Sequence, residues 1–230
     1  MTDIATSPNT RRGLTLFFGF LVVFLYAPIV ILAIFSFNDG DVAFPLAGFT
    51  LDWYRRFFSN PKILQSLERS AIVAAISSVI AVGLGVAASF ALLRRRFAGK
   101  PAVSALLFSP LVVPYLVFGI SLLVIFTALD KALTATTGSY IGLGLHTVVI
   151  GHVVASLPYT VLTIMPLLER LSIDLEEAAK DLGASPWQSF RRVILPLAVP
   201  GLVITALSSF MTAWSEYIVA AQILQDRDLF

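Results

Sequence analysis

Long apolar runs separated by short polar segments dominate the chain. Five runs stand out, at 14–35, 63–93, 102–129, 141–168 and 197–224. Each is longer than the roughly 10–14 residues of a buried helix in a soluble protein, and each is long enough to cross about 30 Å of hydrocarbon at about 1.5 Å per residue. The pattern predicts an all-α, polytopic membrane protein with five transmembrane helices, forming a single domain over residues 1–230.

Proline residues interrupt several of these runs. Pro110 and Pro114 lie four residues apart in the third run. A proline inside a helix removes a backbone donor and kinks the axis. We therefore expect a real distortion of the third span at this pair.

The composition agrees with a membrane protein and excludes several chemistries. Apolar residues make up 57% of the chain and charged residues 13%, whereas soluble domains carry about 25% charged residues. The absence of cysteine excludes disulfides, cysteine-ligated zinc and thiolate chemistry. With two histidines and no dense cluster of ligands, no metal site is expected. No Walker A motif and no pair of nucleophile and base occur, so we predict no catalytic residue, no cofactor and no ATP hydrolysis by this chain.

The basic residues predict the orientation. With the N-terminus in the cytoplasm, Arg11, Arg12, the loop 94–100 and the stretch 169–196 all lie inside, together with most of the Lys and Arg side chains. Cytoplasmic loops of membrane proteins carry an excess of Lys and Arg. This orientation places Phe230 on the outer side.

The stretch 169–196 is polar and carries helix signals. Asp174 and Glu177 form a D-x-x-E variant of a capping box at the start of a first helix. Gly183 stands where that helix would end in the left-handed conformation. Ser185 and Gln188 form a second capping box, and the second helix is expected to end at Pro196. One face of the first helix is apolar and the other is charged; the apolar members are Leu175, Ala178, Ala179 and Leu182, and the charged members are Glu176, Glu177, Lys180 and Asp181.

Two functions fit this helix-turn-helix, beside a plain structural loop. One is DNA binding and the other is docking of a cytoplasmic partner. A recognition helix must lie free in a major groove, but the second helix is joined to a membrane span. The stretch also carries five acidic against four basic residues, the wrong field for phosphates. Docking is therefore favoured over a membrane-tethered regulator.

The same stretch resembles the signature of the permease subunits of bacterial binding-protein-dependent ABC importers. The family pattern E-A-A-x3-G-x9-I-x-L-P is matched at six positions, with Val193 where isoleucine is usual; the matching residues are Glu177, Ala178, Ala179, Gly183, Leu195 and Pro196. The resemblance implies that this is the coupling element, with Leu182 on its apolar face, that seats in a cytoplasmic ABC ATPase dimer, which binds the ATP. It also implies a bacterial inner-membrane location, a second permease subunit and an extracytoplasmic solute-binding protein. The family usually has six spans, so we expect that one span is missing after the fifth.

Finer resemblances point to a substrate class. The segments FSFND (35–39), GFTLDWY (48–54) and FAGKP (97–101) resemble the second permease of spermidine/putrescine systems. The segment AWSEYIVA (213–220) is more similar to sugar permeases. A polyamine is the expected substrate, and a sugar or another small solute is the alternative. A self-sufficient channel or secondary transporter would need paired half-helices or an inverted repeat, which the sequence does not show.

Polar residues inside the spans are candidates for the substrate pathway, because ionisable groups are rare there. Glu216 is the clearest, with Thr212 one turn before it, and its carboxylate would suit a cationic substrate. His152, Ser156 and Tyr159 share a face of the fourth span at i, i+4 and i+7. For each of these residues, hydrogen bonding to neighbouring helices is the alternative role.

Overall fold

The computed structural model describes residues 8–40, 42, 44–171 and 173–224, in two compact units divided after Leu64. Five helical stretches among these residues are long and apolar enough to cross a membrane, which confirms the predicted five-span, all-α fold. They are α1 (Pro8–Phe35), α3 (Pro61–Arg94), α5 (Tyr115–Thr137), α6 (Leu145–Arg170) and a continuous helical run, Pro186–Ser215. The shorter helices are α2 (Asp52–Ser59), α4 (Lys100–Phe108), α7 (Ile173–Asp181) and α10 (Ile218–Leu224).

The first unit joins α1 and α2 through a loop organised by Asn38. Its side-chain amide donates to the carbonyl of Val42 at 2.9 Å and accepts from the amide of Ala47 at 2.7 Å. The indole of Trp53 donates to the backbone carbonyl of Asn38 at 2.9 Å, and the rings of Phe37 and Phe49 stack at 5.3 Å. The segments FSFND and GFTLDWY, which are separated along the sequence, therefore pair with each other.

The second unit is a bundle in which small residues bring helices close together. A methyl group on Gly85 of α3 would lie 2.8 Å from Oγ1 of Thr160 on α6. Ser78 of α3 donates from Oγ to the carbonyl of Ala206 at 2.6 Å. Close approach through glycine and serine, with hydroxyl bonds across helices, is typical of association in membranes, where apolar burial alone gives no preference for protein over lipid.

The third span differs from the predicted range 102–129. Helix α4 ends at Phe108, a 3-10 turn covers Ser109–Leu111, and α5 begins at Tyr115 and runs to Thr137. The distortion lies at Pro110 and Pro114 as expected, but it divides the run instead of bending it. Proline lacks the amide hydrogen that a continuous helix needs, and Pro114 (φ −56°, ψ 138°) takes the N-cap position of α5.

The fifth span, predicted as one helix over 197–224, is also divided. The run from Pro186 contains α8 (Pro186–Ser189), a π-helical turn (Phe190–Ile194) and α9 (Leu195–Ser215). Glu216 then adopts an extended conformation (φ −87°, ψ 103°) before α10. The carboxylate of Glu216 stabilises this break, because it accepts the free amides at the start of α10.

The prediction that the second loop helix ends at Pro196 is wrong. The helix continues through Pro196 into α9, where the proline lies in the first turn. A proline ring clashes with the carbonyl four residues earlier, here that of Arg192, and Arg192 belongs to the π-helical turn. The wider turn gives the ring room. The predicted position of Phe230 and the rest of 225–230 lie outside the described residues.

Candidate coupling loop and substrate-pathway residues

The first helix of the loop ends in the turn expected at Gly183. Gly183 has φ +83°, in the left-handed region that favours glycine. The amide of Gly183 donates to the carbonyl of Lys180 at 2.8 Å, and that of Ala184 donates to the carbonyl of Ala179 at 2.9 Å. These two bonds form a complete Schellman motif, which fixes where the chain leaves α7.

The second arm of the loop begins with the predicted capping box. The amide of Gln188 donates to Oγ of Ser185 at 3.3 Å, and the amide of Ser185 donates to Oε1 of Gln188 at 2.8 Å. Pro186 follows the cap in the first helical turn, where its missing amide hydrogen costs nothing. Both ends of the Gly183 turn are therefore fixed by local hydrogen bonds.

Asp174 does not cap α7 as predicted. Helix α7 begins at Ile173, so Asp174 lies inside its first turn. A carboxylate there still interacts favourably with the helix dipole. The residue before the helix, Ser172, lies outside the described residues.

Most of the predicted apolar face of α7 is open to solvent. Leu182 is 89% exposed and Leu175 is 40% exposed, while Ala178 is exposed and Ala179 half-buried. Glu177, the acidic residue of the motif, is also exposed. An exposed leucine at the end of a short helix provides an apolar surface that a partner can cover.

Glu176 is not part of the solvated face to which the sequence assigned it. Its Oε1 accepts a hydrogen bond from Nε of Arg94 at 2.9 Å, and the two side chains are 11% and 19% exposed. Sequence reasoning missed this pair because the residues are 82 positions apart and Arg94 is the first of three consecutive arginines. Those arginines contributed only to the predicted orientation.

The remaining residues of the motif lie where the loop enters the bundle. Leu195 is half-buried and Pro196 is exposed, while the preceding Ile194 is buried in a cluster with Ile164 and Leu168 of α6. The end of the motif therefore leads from the loop into the packed core.

An open cavity of about 760 Å³ lies beside the loop, between the end of α3 and both arms. The ring of Phe90 on α3 meets that of Phe190 edge-on at 5.5 Å, and Phe190 stacks on Trp187 at 5.7 Å. Both arms of the loop thus contact α3, one through Arg94 and the other through Phe90.

The candidate pathway residues fall into buried and exposed groups. His152 and Ser156 are buried, Thr212 is half-buried, and Tyr159 is 47% exposed. The structure therefore does not place His152, Ser156 and Tyr159 in one common environment, although they share a helix. Thr212 donates from Oγ1 to the carbonyl of Ser208 at 3.0 Å, within its own helix.

Glu216 and His152 lie side by side in the structure. Oε2 of Glu216 lies 3.9 Å from Nδ1 of His152, longer than a hydrogen bond, and both side chains are less than a tenth exposed. Oε1 accepts from the amide of Ile218 at 3.0 Å. Both residues line a small cavity of about 100 Å³, which Arg69 also lines. Arg69 was not a candidate from the sequence.

Comparison with known proteins places the chain in a family. Residues 80–230 match the family described as "Binding-protein-dependent transport system inner membrane component". The chain belongs to this family. The match includes α7, the Gly183 turn and α9, the elements that carry the coupling motif. Family members are membrane transport subunits rather than enzymes, and the five apolar helices agree with a multi-pass inner-membrane component.

Individual relatives cover most of the chain. The spermidine/putrescine transport system permease protein PotC of Escherichia coli (strain K12) is 35% identical over 201 residues, which cover 87% of this chain and 72% of PotC. The putrescine transport system permease protein PotI of the same organism is 32% identical over 222 residues, which cover 96% of this chain and 77% of PotI.

A solved structure confirms the fold. The crystal structure of a bacterial ABC transporter involved in the import of the acidic polysaccharide alginate matches with a TM-score of 0.73, over 99% of this chain and 79% of that chain. Its sequence identity is 18%, so this similarity supports only the fold of the chain.

Proposed function

We propose that this chain is a permease subunit of an ATP-driven polyamine importer. It forms half of the translocation pathway, and a second permease subunit forms the other half. The observation that carries this proposal is α7, a short helix in the family's motif: Leu182 at its C-terminal end is 89% exposed, and the described residues leave most of its apolar face uncovered. The similarity to PotC and PotI along most of the chain supports a polyamine as substrate.

In this proposal α7 docks on an ABC ATPase dimer in the cytoplasm. Ala178, Ala179 and Leu182 supply the contact surface, and Glu177 supplies a charge that sets the register. The turn at Gly183 and the positions of Leu195 and Pro196 carry movement from the docked helix into α9. ATP is bound and hydrolysed by the partner, and the energy reaches the spans as a rigid-body displacement.

The same proposal sets the orientation of the chain. The N-terminus lies in the cytoplasm, on the side of the three consecutive arginines and the loop 169–196. The loop between α1 and α2 then lies on the outer side, where a solute-binding protein delivers the substrate. The paired segments FSFND and GFTLDWY belong to this outer loop.

Within the pathway, Glu216 is the proposed acceptor for a substrate ammonium group. Its carboxylate lies at a break between two helices, where backbone amides and a bound cation can share its two oxygens. Buried acidic groups in membrane spans are expensive and are typically functional. His152 lies beside it, and Thr212 and Ser156 offer hydroxyl groups within one to two helical turns of these residues. Tyr159, the most exposed of this set, is proposed to line the wider part of the pathway.

Uptake by whole cells tests the function. Cells lacking the gene are compared with the parent strain and with a complemented strain, using labelled putrescine, spermidine and a disaccharide. Selective loss of polyamine uptake, restored by the gene and not by its Gly183→Pro variant, is the expected result. Loss of disaccharide uptake alone would keep the importer and assign the alternative substrate class. Unchanged uptake of all three solutes would reject the substrate proposal.

The DNA-binding alternative is not favoured by the geometry. The second arm of the loop continues through the π-helical turn into α9 without a break. A helix held in this way cannot lie along a major groove. Docking on a protein partner needs only the exposed face of α7.

A further inference from the structure

The guanidinium of Arg94 joins three helices at one point. Nε donates to Glu176 of α7 at 2.9 Å. Nη2 donates to the carbonyls of Leu168 and Leu171, at 3.5 and 3.2 Å, where α6 ends. Arg94 is itself the last residue of α3. One side chain thus holds the end of α3, the end of α6 and the side of α7 together.

Burial of the Arg94–Glu176 pair strengthens this contact. An exposed ion pair contributes little, since water and salt screen it. Here the two side chains are 19% and 11% exposed, and removing one partner of such a pair leaves a charge without compensation. Arginine suits the position because its planar fork directs separate N–H groups at a carboxylate and at carbonyls, which a lysine ammonium cannot reproduce.

Helix α7 therefore has two distinct faces. Ala178, and Leu182 directly after the last residue of α7, face outward and are exposed, whereas Glu176 faces inward and its side chain is 11% exposed. The outward face is the proposed docking surface. The inward face is fixed to α3 and α6 through Arg94, so a displacement of the docked helix must move those two spans or break the pair.

We propose that Arg94 and Glu176 are positioning residues that transmit the movement of α7 to α3 and α6. This inference rests on the proposed coupling function of the loop, and it names the contact between Arg94 and Glu176 through which the loop acts. The edge-on contact of Phe90 with Phe190 gives α3 a second contact, with the other arm of the loop. Arg94 acts through α7 and touches neither substrate nor nucleotide.

The role of the Arg94–Glu176 contact is tested first by a distance measurement on the assembled transporter. The chain contains no cysteine, so two spin labels can be placed at Asp181→Cys on α7 and Arg96→Cys beyond α3 without background labelling of this chain, and any cysteines of the partner subunits are replaced beforehand. A narrow distance distribution is expected with the native pair. The variants Arg94→Gln, Glu176→Gln and Arg94→Lys should each broaden it. Arg95→Gln, which removes the same charge from the exposed neighbour, is the control and should leave it narrow.

Transport tests the consequence. In proteoliposomes, Arg94→Gln and Glu176→Gln should lower substrate transported per ATP hydrolysed about tenfold, within the usual range of coupling between two sites. The transport rate and the hydrolysis rate are each normalised to the amount of assembled complex, so a variant that only lowers that amount leaves their ratio unchanged. If a neutral variant prevents assembly, the ratio is measured on Arg94→Lys instead, because this variant keeps the positive charge.

The outcomes separate this inference from the function on which it rests. Unchanged distance distributions in the Arg94 and Glu176 variants would overturn the proposed role of this contact. Broadened distributions with an unchanged transport ratio would also overturn it, provided that Gly183→Pro lowers the ratio, and the proposed coupling function would stand. If Gly183→Pro also leaves the ratio unchanged, the coupling function itself fails. Broadening together with a lowered ratio supports the inference.

Discussion

The carboxylate of Glu216 accepts the backbone amide of Val219 with both oxygens, at 3.2 Å from Oε1 and 3.0 Å from Oε2. The residue that the sequence offered as a substrate ligand thus also stabilises the break between α9 and α10. Amide replacement separates the two roles, because glutamine keeps one carbonyl oxygen for the Val219 amide and loses the negative charge.

Glu216→Gln should therefore weaken polyamine uptake without loss of protein from the membrane. A hydrogen bond to a charged group contributes about 1.5–3 kcal/mol, so the KM for putrescine should rise about tenfold or more. Initial uptake rates over a range of putrescine concentrations give the KM. Glu68→Gln, at an exposed position of α3, is the matched control and should leave KM unchanged. An unchanged KM in Glu216→Gln would assign Glu216 to the helix break alone.

Replacing Gly183 should uncouple hydrolysis from uptake. The left-handed conformation costs a residue with Cβ about 1–2 kcal/mol, so Gly183→Ala should loosen the turn that ends α7. Gly138, with φ +69°, ends α5 in the same conformation and is equally free of close neighbours. Gly138→Ala therefore imposes the same local strain away from the loop. The expected result is a lower ratio of uptake to ATP hydrolysis in Gly183→Ala only; equal effects of the two variants would assign the loss to general destabilisation.

Leu182, the exposed leucine at the C-terminal end of α7, should be required for assembly with the ATPase. Leu182→Asp places a charge on the proposed contact surface, and burying an unpaired charge is strongly unfavourable. We expect the variant to reach the membrane at the parent level and to lose co-purification with the ATPase. Leu46→Asp, at another exposed leucine, should leave co-purification intact. Retention of the ATPase by Leu182→Asp would exclude this face as the docking surface.

The contact of Gly85 with Thr160 should be sensitive to a single methyl group. A Cβ at Gly85 would lie 2.8 Å from Oγ1 and 3.1 Å from Cβ of Thr160, whereas a Cβ at Gly83 would meet nothing within 4 Å. Overpacking of this kind costs about 1–3 kcal/mol, so Gly85→Ala should lower the thermal stability of the purified protein. Gly83→Ala is the control two residues away. Equal melting temperatures for the two variants would contradict the observed packing of α3 on α6.

The features that the sequence predicted well are those set by local chemistry. The Gly183 turn and the box of Ser185 and Gln188 depend on residues no more than a few positions apart, so their spacing alone fixes the hydrogen bonds. The apolar runs likewise predicted the spanning helices, because length and hydropathy decide whether a helix can cross a bilayer.

The features that it missed depend on contacts over distance or on competition within a run. Nothing near Glu176 indicates that its partner is Arg94, 82 residues earlier. The break at Glu216 was hidden because the apolar run continues past it, and hydropathy does not register a side chain that competes for backbone amides. The passage of the helix through Pro196 depends on the π-helical turn before it, which no local residue pattern announced.

Coupling of ATP hydrolysis to polyamine import through α7 can be measured on the purified transporter. The most direct measurement is the accumulation of labelled putrescine by proteoliposomes that contain the complete transporter and its solute-binding protein, with ATP on the side of the ATPase. We expect accumulation that requires ATP and that is lost in Gly183→Pro while ATP hydrolysis continues. Accumulation without ATP, or equal accumulation by Gly183→Pro, would contradict it.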